Sequence, residues 1–187
     1  MKLKLRQLIF LGYFLGIFIL SRLSDFSFSW GFLSHSLREL IPWFLGAFLG
    51  AYIIKLEQLV YVYYVAPQQP LSLQVKDLIN QNQPQQAWIL LKQKVTEQKL
   101  AFRSLVFQAI WVVLAFFTLT STSVLLGKTL VMAIGLHFLL DEWEAVLRGE
   151  NISWVFWQVK REVGVGEQRK FIYIMTGIFG ILSLLLI

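Results

Sequence analysis

Residues 135–150 read GLHFLLDEWEAVLRGE. Gly135 to Leu140 has the character of the inner end of a membrane span. Asp141, Glu142, Glu144 and Arg148 then follow within eight positions. His137, Asp141 and Glu144 stand at i, i+4 and i+7, on one face of a helix. Such a face can hold a divalent cation or pass a proton. The same pattern also arises where an apolar helix emerges into water, with Trp143 marking the interface and Glu144 paired to Arg148 one turn on. A three-ligand metal site needs further ligands. The only other histidine, His35, falls on the opposite side of the membrane, and Glu57 is the best-placed additional carboxylate. Ligand count and depth favour the helix end meeting water.

Outward from this stretch, the chain repeats apolar segments of spanning length. They cover about 5–23, 40–60, 104–120, 124–141 and 170–187, each near the ~20 residues that cross ~30 Å of hydrocarbon. Of 187 residues, 57% are hydrophobic and only 15% charged, against about 45–50% apolar in soluble domains. A core this small cannot hide that surplus. The expected fold is all-α: a polytopic bundle of about five transmembrane helices, an integral membrane protein whose first partner is the lipid bilayer. The basic start MKLKLR and the apolar run after it resemble a signal peptide, but Ser21-Arg22-Leu23 is a poor cleavage site, which predicts a retained first span. There is no cysteine, which excludes disulfides and thiolate metal sites.

The net charge of +6 reads as topology rather than nucleic-acid binding. With the N-terminus cytoplasmic, the inner segments hold Lys2, Lys4, Arg6, Lys76, Lys92, Lys94, Lys99, Arg103, Arg148, Lys160, Arg161, Arg169 and Lys170. The outer ones hold only Arg22 and Arg38. This asymmetry predicts a cytoplasmic N-terminus and an outer C-terminus, in a plasma or inner membrane. Lys55 and Lys128 fall inside spans near their ends, where a long stem can reach the headgroups.

The expected organisation has five parts. Residues 1–66 form a transmembrane hairpin whose outer segment lies in the interface, with Phe26, Phe28, Trp30 and Phe32 dipping into headgroups. Ser36 to Glu39 reads as a capping box opening the second span, which leaves Pro42 in its early turns. Residues 67–103 form a cytoplasmic αα-hairpin turning at NQNQP, its second helix running into the third span. The stretch from Leu78 to Trp88 resembles one helical hairpin of a tetratricopeptide repeat, but a lone unit reads better as an ordinary αα-hairpin. Residues 104–141 form a second transmembrane hairpin. Residues 142–169 carry a helix end capped by Gly149, then a cytoplasmic interfacial amphipathic helix, ISWVFWQVKREV, lying in the headgroups. Residues 170–187 are the fifth span.

FLGYFLG (10–16) and FLGAFLG (44–50) each hold glycines four apart, Gly12 with Gly16 and Gly46 with Gly50. Such strips let helix backbones approach closely in lipid. They predict packing of the first span on the second, contacts with other membrane proteins, or a homodimer. No phosphate loop, nucleophile elbow or dinucleotide fingerprint is present, and no cofactor is expected. The expected role is a non-enzymatic scaffold, anchor or accessory subunit docking partners through its cytoplasmic helices. The alternatives are a small transporter or channel component with a polar pathway through Lys55, Glu57 and His137, and a membrane-bound metal-dependent hydrolase using His137, Asp141 and Glu144.

Overall fold

One helix is buried on nearly every side, and three others pack directly on it. The computed structural model describes residues 3–23, 30–93 and 100–187. The described elements are α1 (Leu3–Leu23), α2 (Trp30–Val60) with a π-helical end (Tyr61–Val65), α3 (Pro70–Asn80), α4 (Pro84–Gln93), α5 (Leu105–Ser121), α6 (Leu125–Leu147), a 3₁₀ turn (Ser153–Phe156) and α7 (Val165–Leu184). No strand occurs among the described residues. α6 buries Val131, Met132, Ala133, Leu136, Phe138, Leu139 and Leu140, which lie on all its faces. A helix apolar all round belongs in the middle of a structure.

α2, α5 and α7 pack directly on α6. Closeness to α2 is a consequence of Gly46 and Gly50. A Cβ at Gly46 would overlap the Leu126 carbonyl oxygen, and one at Gly50 would lie 2.6 Å from Ala133 Cβ. The Gly46/Gly50 strip therefore receives α6, where the sequence predicted α1. Gly12 and Gly16 have nothing within 4 Å of a built Cβ. α1 instead turns Phe14 and Ile17 inward. Trp43 Nε1 on α2 donates to the Phe14 carbonyl at 3.0 Å, and the Phe18 and Trp43 rings meet edge-on. Gly135 makes a second close approach: the Trp111 ring of α5 occupies the space its Cβ would need, and Trp111 Nε1 donates to Val131 O at 2.8 Å.

The outward faces stay apolar. Leu8 and Leu11 on α1, Ile41 and Phe48 on α2, Val113 and Phe117 on α5, and Ile174 and Ile181 on α7 are all exposed. Two helices, over Leu5–Arg22 and Leu37–Val65, are long and apolar enough to cross a membrane; α5 is a shorter apolar helix.

Several boundaries differ from expectation. α2 runs without a break from Trp30, so Ser36 to Glu39 is no capping box and Pro42 sits well inside the helix. There its missing N–H leaves the Arg38 carbonyl without its usual partner. Phe26 and Phe28, and the side chains of Trp30 and Phe32, lie outside the described residues. α3 and α4 form the expected hairpin around Leu71, Val75, Ala87 and Leu91, with Val62 from the end of α2. The turn is where NQNQP placed it, with Asn82 at φ 57°. α4 does not run into α5. Residues 100–104 are not helical, and Ser104 caps α5 by accepting from the Phe107 N–H at 3.3 Å.

The predicted interfacial helix at 152–163 is not helical beyond the 3₁₀ turn. Ile152 and Val155, three apart, both point into a small core with Ala145 and Ile172. Three-residue spacing suits a 3₁₀ turn. Gln168 then ties both ends of the segment: its Oε1 accepts from Ile152 N at 2.9 Å, and its Nε2 donates to Val163 O at 2.9 Å. Before it, α6 ends as expected at Gly149, φ 75°, with Glu150 N–H returning to the Ala145 carbonyl at 3.0 Å. α7 opens with Glu167 folded back onto the Gly164 N–H at 3.1 Å. Arg161 and that N–H together hold the exposed Glu167 carboxyl below its usual range.

Candidate functional site: an ionic cluster at one end of the bundle

The opening stretch is where charge enters the core. Asp141 sits one turn after His137 on α6, and helix α1 delivers Arg6 to both. Arg6 Nη1 lies 2.5 Å from Asp141 Oδ1, and Nη2 lies 2.9 Å from His137 Nδ1 and 3.2 Å from Nε2. Near-equal distances to both ring nitrogens lay the guanidinium across the imidazole. From the loop before α5, Arg103 Nη2 reaches Asp141 Oδ2 at 3.2 Å. His137 Nδ1 is 3.3 Å from the same oxygen. One carboxylate thus holds together α1, α6 and the approach to α5.

Around it lie two further carboxyls. Glu57, on α2, accepts from Phe102 N at 2.5 Å, which fixes the non-helical turn carrying Arg103. Glu142 accepts from Gln108 Nε2 at 2.6 Å, and the same amide leans on the Arg103 carbonyl at 3.4 Å. Glu144 lies further out. It pairs with Arg148, as the i, i+4 spacing predicted, and stands 3.7 Å from Arg6.

The helix end does not simply meet water. His137 is 5% exposed and Glu142 0%, and the Asp141 side chain is 10% exposed. On the Glu144–Arg148 side, Arg148 is half exposed while the Glu144 side chain is 14% exposed. At Asp141 the guanidinium groups of Arg6 and Arg103 do what water would have done.

Of the predicted metal set, His137 and Asp141 are brought together and Glu144 stands beside them. Among the described residues, no group of three His, Asp or Glu side chains is arranged to hold a metal ion. Arg6 stands against all three, bringing positive charge where a cation would have to sit. Of the predicted polar pathway, Glu57 turns to Phe102 and His137 to Arg6 and Asp141, while the Lys55 side chain lies outside the described residues. A nearby cleft between the ends of α6 and α7, lined by Val146, Gly149, Asn151, Gln168 and Arg169, encloses about 100 Å³. Ligand pockets usually hold about 300–1,000 Å³.

Sequence reasoning missed Arg6, Arg103, Gln108 and Glu142 as members of the cluster. The signal was available. Arg6, Arg103 and Asp141 each fall at the same end of a different apolar segment, so bundling brings them level. Neither a family model, a curated protein nor a solved structure matches this chain.

Proposed function

We propose that the chain is a five-span integral membrane protein, N-terminus cytoplasmic and C-terminus outside, acting as a non-enzymatic scaffold, anchor or accessory subunit. Helix lengths between charged positions support five crossings. Arg6 and Arg22 lie sixteen residues apart on α1, about 24 Å at 1.5 Å per residue. Glu39 and Glu57 on α2 are about 27 Å apart by the same rule, and α5 from Leu105 to Ser121 spans about 24 Å. Arg22 pairs with Glu39 at one end, and Arg6 pairs with Asp141 at the other. An apolar layer about as thick as bilayer hydrocarbon lies between these pairs. The exposed apolar faces of α1, α2, α5 and α7 suit lipid.

The observation that carries the role is the neutralisation of Asp141. Two arginines and a histidine close the polar face of the central helix, leaving it to fasten three segments rather than to meet a substrate. The surface open to partners is the α3–α4 hairpin, where Leu73 and Ile89 are exposed. The cluster at the cytoplasmic end anchors this hairpin through Glu57 and the turn at Phe102. The test is site-specific photo-crosslinking in native membranes from Leu73 and Ile89, with Tyr173 on the lipid-facing side of α7 as control. The scaffold reading expects discrete protein adducts at the hairpin and none at Tyr173. Adducts at none of the three would remove its main support.

Buried Glu57 and Glu142 favour one competitor, a small transporter component. Proteoliposomes separate the two: the scaffold reading expects proton and cation flux at the lipid background. A flux that vanishes in Asp141→Asn would install the transporter reading instead.

A further inference from the structure

Asp141 and Glu142 are adjacent in sequence but have opposite surroundings. Asp141 receives Arg6 at 2.5 Å and Arg103 at 3.2 Å. Glu142, with 0% exposure, receives one neutral donor, Gln108 Nε2, on Oε1. Its Oε2 has no hydrogen-bond partner, and among the described residues no cation lies within ion-pairing distance of it.

We propose that Glu142 is a proton-binding site inside the bundle, a neutral carboxylic acid whose proton is part of the folded structure. Removing a lone carboxylate from water costs many kcal/mol unless a cation or several donors receive it, and a group so placed takes up a proton instead. Among the described residues, none of the nearby positive charges is directed at Glu142. On α6, Asp141 adds negative charge beside it and so favours the neutral form. On α1, Arg6 is turned to Asp141, His137 and Glu144. Ahead of α5, Arg103 is also turned to Asp141, while Gln108 on α5 itself is uncharged. On α2, Glu57 is turned to Phe102 N. Two carboxyls whose surroundings separate them so far divide the roles of acid and base: Asp141 is the fixed anion and Glu142 the proton holder. Oε1 is tied to the amide, so Oε2 carries the hydrogen.

The test is infrared difference spectroscopy of the purified, lipid-reconstituted protein near neutral pH, wild type against Glu142→Gln, in H₂O and D₂O. A protonated carboxyl has its own C=O stretch, separate from carboxylates and shifted by deuterium. The expected result is loss of one such band in Glu142→Gln, with the melting temperature unchanged, because glutamine is the neutral isostere. In Gln108→Leu the band should persist and move to higher frequency as its carbonyl loses the amide donor. Absence of a deuterium-sensitive difference band would overturn the proposal. So would failure of Glu142→Gln to fold, since a site that needs the charged form cannot accept the amide.

Discussion

FLGYFLG and FLGAFLG are nearly the same seven residues on neighbouring helices, and the fold uses them in opposite ways. A Cβ at Gly46 or Gly50 would run into the backbone of α6; one at Gly12 or Gly16 would meet nothing within 4 Å among the described residues. The residue between the shared halves differs: Ala47 in one, Tyr13 in the other. Ala47 and Ala51 extend the glycine strip of α2 into a broad flat face, and Ala47 is buried. On α1, Tyr13 turns toward α7, its hydroxyl 2.7 Å from Ser183 Oγ, and Phe14 and Ile17 become the buried face. Paired glycines permit close approach. The residues beside them decide which side of the helix is used.

This contrast can be broken directly. Gly46→Leu with Gly50→Leu drives side chains into the Leu126 and Leu130 carbonyls, at about 3 kcal/mol or more per site, the upper range of overpacking penalties. The expected outcome is loss of the folded, monodisperse species in detergent. Gly12→Leu with Gly16→Leu should shift the melting temperature little. Comparable losses from both pairs would mean that α1 packs through its glycines after all.

Asp141 at the centre of the ionic cluster and Glu144 at its edge sharpen the comparison between buried and emerging charge. Asp141→Asn leaves the buried Arg103 without its anion and Arg6 with Glu144 alone, an expected cost of about 3–5 kcal/mol. Glu144→Ala loses a pair whose partner, Arg148, is half exposed, and should cost below about 1 kcal/mol. Chemical denaturation in mixed micelles measures both, and equal costs would remove the clamp from the account.

A smaller effect is expected at Gln168. Gln168→Leu leaves the Ile152 N–H and Val163 carbonyl without partners, an expected cost of about 1–3 kcal/mol. The loss should be local, read as faster hydrogen exchange across 152–163 with α6 unchanged. The smallest effect concerns Glu167, whose carboxyl is held below its ordinary value by Arg161 and the Gly164 N–H. Its contribution is present above the ordinary glutamate value of 4.5 and fades as pH falls below it. In Glu167→Gln, the Gly164 amide should exchange at a rate that no longer steps with acidification.

Local rules were legible where one residue type decides. Gly149 ended α6, NQNQP turned the hairpin, and the apolar segments became helices. Misreadings came where a pattern has two solutions. Ile152, Val155 and the aromatics around them suit a surface helix by composition, yet a 3₁₀ turn over Ser153–Phe156 and the Gln168 ties turn Ile152 and Val155 into the core. Ser36 could cap a helix, but nothing before it stops one, so α2 begins earlier. In the ionic cluster, His137 and Asp141 were visible because they share a helix face. Arg6 and Arg103 were counted only as cytoplasmic charge, because their meeting with Asp141 depends on three helices ending level, which no local window contains.

The absence of cysteine from the chain allows the central claim, five crossings around α6, to be tested by single-cysteine labelling. Gln83→Cys, Glu150→Cys and Ile187→Cys would each be exposed to a membrane-impermeant maleimide in intact cells and again after permeabilisation. The account predicts that Ile187→Cys is labelled in intact cells, and that the other two are labelled only after permeabilisation. Labelling of Glu150→Cys and Ile187→Cys from the same side would mean that α7 does not cross, and the five-span bundle would be contradicted.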